Sequence, residues 1–107
     1  MALPSRYEGL EEKVPDSLDD LHGPAEGVVP LPPHLAWSGL TEFDLSKPGI
    51  RMEMYRTVIT TGRRVDYELY LNADHLVADW PMLRKGLGPG YRHAWEKKLP
   101  LRRESAA

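Results

Sequence analysis

The chain has 107 residues, 14 Lys and Arg against 16 Asp and Glu, a net charge of −2 and no cysteine. That length holds one domain at most, and the missing cysteines exclude both a disulfide framework and a thiolate zinc site. No run approaches the length of a membrane span, and no basic region followed by an apolar one opens the sequence, so a cytoplasmic protein with no membrane partner is expected.

The small net charge hides a polarity. Residues 1–32 carry Glu8, Glu11, Glu12, Asp16, Asp19, Asp20 and Glu26 against Arg6 and Lys13 alone. Beyond residue 83 the balance reverses, with Arg84, Lys85, Arg92, Lys97, Lys98, Arg102 and Arg103 against Glu96 and Glu104. Such a division suits electrostatic partners, and it equally suits two solvated ends.

Residues 1–33 are broken by Pro4, Pro15, Pro24, Pro30, Pro32 and Pro33, which prevent a long helix. Asp16 or Ser17 is placed to cap one short turn ending at Gly23. Val28-Val29-Pro30-Leu31 is apolar but proline-broken, and should run extended as polyproline II or a lone edge strand. It can lie across a partner's surface or back across its own helices. Trp37 is expected to anchor a loop on the core.

The central helix is expected over Ser46 to Gly62. Ser46 suits the N-cap, Pro48 the first turn, and Gly62 the position just past the end. Ile50, Met52, Met54, Tyr55, Val58 and Ile59 share an arc of roughly 200° at about 100° per residue, too wide for a helix covered from one side only. Phe43 and Leu45 are candidates to staple its start. Arg51 falls inside the apolar arc, and needs a carboxylate partner or an exit to solvent.

A second short helix is expected over Val65 to Leu71, with Val65 and Leu69 facing inward; a strand fits the same alternation. Asn72 then caps a third helix that should stop at Trp80, because Pro81 disfavours the helical conformation before it. The last helix runs from about Pro89 to Leu99, with Tyr91, Ala94, Trp95 and Leu99 as its stripe and Lys97 and Lys98 at the negative end of the dipole. The sum is an all-α chain. A small bundle of three to four short helices occupies 34–100, behind an extended or partly disordered acidic, Pro-rich arm over 1–33, with a basic tail over 101–107.

Catalytic patterns are missing. Ser38 in Trp-Ser-Gly-Leu lacks the flanking glycine of a nucleophile elbow. Gly86-Leu87-Gly88-Pro89-Gly90 lacks the strand and the Lys-Ser/Thr partner of a phosphate loop. His75 and Asp79 share an i, i+4 face, but two ligands without a third make no metal site. No enzyme, metal or cofactor is expected. Thr61-Gly62-Arg63-Arg64 resembles the turn of a helix-turn-helix unit, yet Asp66 and Glu68 follow where phosphates would lie. The candidate partner-binding residues are Val28, Val29, Leu31, Trp37, Arg51, Arg63 and Arg64.

The series His22-Gly23-Pro24, Gly27-Val28-Val29-Pro30-Leu31-Pro32, Leu35-Ala36-Trp37-Ser38-Gly39 and Phe43-Asp44-Leu45 continues with Met54-Tyr55-Arg56-Thr57-Val58 and Tyr70-Leu71-Asn72-Ala73. Leu76-Val77-Ala78-Asp79-Trp80-Pro81 and Ala94-Trp95-Glu96 complete it. Together these resemble small actinobacterial proteins that tend to be encoded beside a nucleotidyltransferase toxin of the abortive-infection type. The resemblance spans roughly residues 18–99. It implies an antitoxin-like protein partner of that enzyme, with no catalytic residue on this side of the pair. The alternatives are a DNA-binding transcriptional regulator and a purely structural interaction module.

Overall fold

The computed structural model describes residues 10–36 and 41–101. Trp37 and Ser38 lie outside the described residues, so the anchoring role expected of Trp37 is not addressed. The element order is α1 (Leu10–Lys13), a 3-10 turn at Leu18–Asp20, β1 (Val28–Pro30), β2 (Glu42–Asp44) and α2 (Pro48–Thr61). It continues with α3 (Arg64–Tyr70), α4 (Ala73–Leu83), a second 3-10 turn at Arg84–Gly86, and α5 (Pro89–Lys98). The fold is mostly helical with one small sheet. No helix among the described residues is long and apolar enough to cross a membrane.

The sheet is the addition to the all-helical expectation. β1 and β2 pair antiparallel, with Val29 opposite Phe43, Val28 opposite Asp44 and Pro30 opposite Glu42. Backbone bonds from Leu45 N to the Gly27 carbonyl and from Leu31 N to the Thr41 carbonyl, each 2.9 Å, lengthen the ladder at both ends. Two β-branched valines favour the extended backbone, and Pro30, which has no N–H to give, closes the strand. Strand alternation then sends Val29 inward and Val28 out: Val29 is 7% exposed and Val28 58%.

α2 is the hub, packed against β2, α3 and α4. Met54, Tyr55, Val58 and Ile59 are buried, while Ile50 and Met52 are half-buried at the edge of the same face. The helix begins one residue later than Ser46 suggests. Ser46 is taken by Asp44, whose Oδ1 accepts from Ser46 N at 3.0 Å and from Ser46 Oγ at 2.7 Å. Lys47 becomes an N-cap with no side-chain bond. At the other end Gly62 is required by crowding, since its backbone is extended at φ −82°. A Cβ there would stand 2.7 Å from the Val58 carbonyl oxygen and 3.0 Å from Asp66 Cβ.

α4 runs through Pro81 to Leu83 instead of stopping at Trp80. Leu76, Trp80 and Leu83, one stripe at i, i+4 and i+7, are all buried, while Pro81 faces solvent. Burying Trp80 and Leu83 contributes several kcal/mol at roughly 25 cal/mol per Å² of apolar surface, which outweighs the lost backbone bond and the pre-proline preference. Trp80 adds a bond from Nε1 to Glu96 Oε2 at 2.7 Å, tying α4 to α5. Asn72 caps α4 as expected, its Oδ1 accepting from His75 N at 3.1 Å.

The segment preceding β1 is part of the packed body where the sequence suggests an extended arm. Val14, Leu21, Val29 and Leu31 sit in the same core as Trp80 and Trp95. Ser17 caps the first 3-10 turn. The chain then docks on the α3–α4 junction: His22 N donates to the Glu68 carbonyl at 2.8 Å and Gly23 N to the Leu71 carbonyl at 2.9 Å. Only glycine fits at residue 23, because a Cβ would lie 2.6 Å from the Leu71 backbone nitrogen.

Candidate interaction surface

Among the described residues most interior polar groups are engaged in holding the fold; the buried Nε atoms of Arg64 and Arg92 are without a hydrogen-bond partner. Arg51, the charge inside the apolar arc of α2, finds its carboxylate on α4. Its Nε donates to Asp79 Oδ2 at 2.7 Å and its Nη2 to Asp79 Oδ1 at 2.9 Å, while Nη1 reaches the Leu45 carbonyl at 3.0 Å. The two side chains are 12% and 10% exposed. Bonding to Asp79 raises the Arg51 pKa further above its ordinary value. This bidentate fork fixes α4 against α2. Arg51 therefore serves the fold, and its head group does not form an open binding surface.

Tyr55 lies beneath that pair. Its hydroxyl accepts from Asn72 N at 2.9 Å, and burial pushes its pKa up to about 12. Tyr67 donates to the Ile59 carbonyl at 3.1 Å and meets Trp95 edge-on, with ring centroids 4.9 Å apart. Burial raises its pKa as well. Asp66, 3% exposed, accepts from Arg63 N at 2.9 Å and faces His34 Nε2 at 3.2 Å. It closes the first turn of α3 while pinning the loop that carries His34.

His75 and Asp79 go separate ways. His75 Nε2 stands 2.6 Å from the Ala25 carbonyl, and must carry its proton there; Asp79 holds Arg51. Among the described residues no three His, Cys, Asp or Glu side chains are grouped to hold a metal ion.

The remaining candidates divide. Val29 and Leu31 are buried in the chain's own core, at 7% and 6% exposure, which answers where the extended segment lies. Arg64 is drawn back: its Nη2 lies 3.2 Å from Asp16 Oδ2 and 3.3 Å from the Val14 carbonyl. Lys98 Nζ meets the same carbonyl and the Asp16 carboxylate at 3.0 Å each. These contacts hold the Asp16 carboxyl below its usual range, Lys98 contributing most. Val28 and Arg63 remain exposed.

What the sequence places inside, the structure turns out. Val65 and Leu69 are 51% and 56% exposed, on one face of α3. They are an i, i+4 pair, so their side chains form one apolar patch. α3 buries Asp66 and Tyr67 instead, because Tyr67 fills the space against Trp95 and its single hydroxyl proton has the Ile59 and Gly62 carbonyls to share it. Helical periodicity identifies a face but cannot rank an aliphatic pair against a tyrosine that has backbone acceptors waiting. Among the described residues Val28 and Met82, 58% and 59% exposed, are the other large apolar groups left in solvent.

In comparison with known proteins, no family model, no curated protein and no solved structure matches the chain.

Proposed function

We propose that this chain is a non-catalytic, antitoxin-like partner that binds and restrains a nucleotidyltransferase in the cytoplasm. The observation that carries the binding role is the Val65–Leu69 patch on α3. Two branched aliphatic side chains stand in water on a rigid helix whose opposite side is locked into the core. Patches of a few hundred Å² are ordinary on monomers, so this pair supports an interface as the apolar centre of a larger, polar-rimmed contact and not by its area alone. Arg63, exposed just before α3, supplies a charged rim to it. The identity of the partner rests on the resemblance across residues 18–99 and on nothing else in the fold.

The DNA-regulator alternative draws less support. The α2–α3 turn exists, but Arg64 is spent on Asp16 and Val14, and α3 offers acidic Glu68 beside its apolar patch. A phosphate-facing helix requires the opposite charge.

The test is co-expression of the chain with a nucleotidyltransferase of the abortive-infection type, followed by mass measurement of the purified species. A complex of fixed stoichiometry is expected with the wild-type chain. The double variant Val65→Asp, Leu69→Asp, which alters only exposed positions, should fold and fail to form it. A complex retained by that variant would remove α3 from the interface. No complex with the wild-type chain would remove the partner.

A further inference from the structure

Part of the acidic charge of residues 1–32 is gathered beside α3. Two contacts tie residues 16–22 to one flank of that helix: Asp16 Oδ2 lies 3.2 Å from Arg64 Nη2, and His22 N donates to the Glu68 carbonyl at 2.8 Å. Arg64 and Glu68 are one helical turn apart, so the 3-10 turn of Leu18–Asp20, held between these anchors, stands alongside that turn of α3. It brings Asp19 and Asp20 toward Glu68. The docking continues with Gly23 N to the Leu71 carbonyl at 2.9 Å and Asn72 Nδ2 to the Gly23 carbonyl at 3.4 Å, and Asp74 follows in the first turn of α4. Four carboxylates therefore border the end of α3 that carries Leu69.

These carboxylates are not neutralised. Among the described residues none of the four has an ion pair, whereas Asp16 takes both Arg64 and Lys98. The cations stand at the other end of the helix, where Arg63 precedes its first turn and Arg64 is turned toward Asp16. The four are also dispersed: no three His, Cys, Asp or Glu side chains among the described residues are grouped to hold a metal ion. A divalent ion has no cage here, and a row of separate ammonium or guanidinium groups is the matching counter-charge. The apolar pair adds the second requirement. Val65 and Leu69 are branched side chains, half in solvent and one turn apart, and a partner helix meets that spacing with an aliphatic residue of its own.

We propose that the Val65–Leu69 face, bordered by Asp19, Asp20, Glu68 and Asp74, docks a basic amphipathic helix of the partner protein. An aliphatic residue of that helix lies against the pair, and its Lys or Arg side chains lie over the carboxylates. The charges steer approach and set the register, while the apolar contact holds the complex. The inference deepens the protein-binding reading: it rests on α3 being the interface and adds the chemistry of what covers it.

The experiment uses the full ¹⁵N-labelled chain and a synthetic helical peptide with leucines at i and i+4 flanked by lysines. The amides of residues 64–70 should shift saturably, and binding should weaken as salt is raised. Exchanging the lysines for glutamates, or the leucines for alanines with the lysines kept, should each weaken binding about tenfold or more. Asp19→Asn with Asp20→Asn and Glu68→Gln removes three rim charges, and should also weaken the lysine–leucine peptide about tenfold while leaving the amide spectrum and the melting temperature those of the wild type. No saturable binding, shifts that miss α3, equal affinity for the glutamate or the alanine peptide, or unchanged affinity in the triple variant each overturn the proposal. Saturable shifts of the same amides with calcium chloride alone assign the carboxylates to a divalent ion, and shifts with protein concentration alone assign the face to a second copy of this chain; both overturn it. Peptide binding on α3 without any transferase complex defeats the transferase reading and leaves the basic-helix inference standing. A transferase complex that the triple variant forms as tightly as the wild type defeats the basic-helix inference alone.

Discussion

Removing the Asp79 carboxylate tests whether Arg51 serves folding or binding. In Asp79→Ala the guanidinium loses two charge-assisted bonds, at 2.7 and 2.9 Å, and keeps only the Leu45 carbonyl. Breaking a buried pair by deleting one partner costs about 3–5 kcal/mol. Here the pair is 12% and 10% exposed, so water reaches its edge and the lower end, about 3 kcal/mol, applies. For a domain of this size that lowers the melting temperature by about 12 °C or more. Arg51→Met with Asp79→Leu removes both charges while retaining bulk, and should recover to within about 1 kcal/mol of wild type. Urea and thermal melts followed by circular dichroism measure both. A loss of less than about 1 kcal/mol in Asp79→Ala would mean that the pair behaves as an exposed one. Arg51 would then return to the list of partner-facing residues.

Other outcomes follow from the same packing. Gly23→Ala forces a Cβ into the Leu71 backbone and should cost about 1–3 kcal/mol, read as a lower urea midpoint; an unchanged midpoint would show that residues 21–25 do not dock on the α3–α4 junction. Tyr55 has its pKa raised from 10.0 to about 12, so its contribution is complete below pH 10 and is lost as pH rises from there toward 12. Stability should fall across that window by order 2–3 kcal/mol, and Tyr55→Phe should flatten the fall, as alkaline melts will show. The Asp16 carboxyl is held below its usual range by Lys98 and Arg64, so its contribution is present above about pH 4 and is lost as pH falls through the lowered value. Hydrogen exchange of α1 and of α5, against which it packs, should accelerate in acid and in high salt; Asp16→Asn should remove the acid response. The isolated chain should not retard promoter DNA in a gel at low salt, and a salt-dependent shift would revive the regulator reading.

The helices were legible where punctuation is chemical. Pro48 and Gly62 bracket α2, Asn72 opens α4 and Pro89 opens α5, each by a backbone effect confined to a few residues. Arg51 was legible as a charge needing a carboxylate, but not as a partner of Asp79, 28 positions away. The same limit hid the β1–β2 pairing, in which Val29 meets Phe43 across an intervening loop. Proline content makes residues 1–33 read as an extended or partly disordered arm, free to lie across a partner or back across its own helices; the choice between them is not in the composition, which does not register that Val14, Leu21 and Leu31 reach a core built from residues further along. Pro81 misled for a related reason: a local preference yielded to the burial of Trp80 and Leu83. At the candidate surface, the exposure of Val65 and Leu69 follows from the Tyr67–Trp95 contact, and no periodic pattern contains it.

The central claim is that this chain acts by being held against another protein through α3. Titrating the purified chain into an abortive-infection nucleotidyltransferase while following nucleotide incorporation tests it most directly. Activity should fall to zero at a fixed molar ratio, and Val65→Asp with Leu69→Asp should leave it untouched. Full transferase activity at a large excess of the wild-type chain would contradict the account.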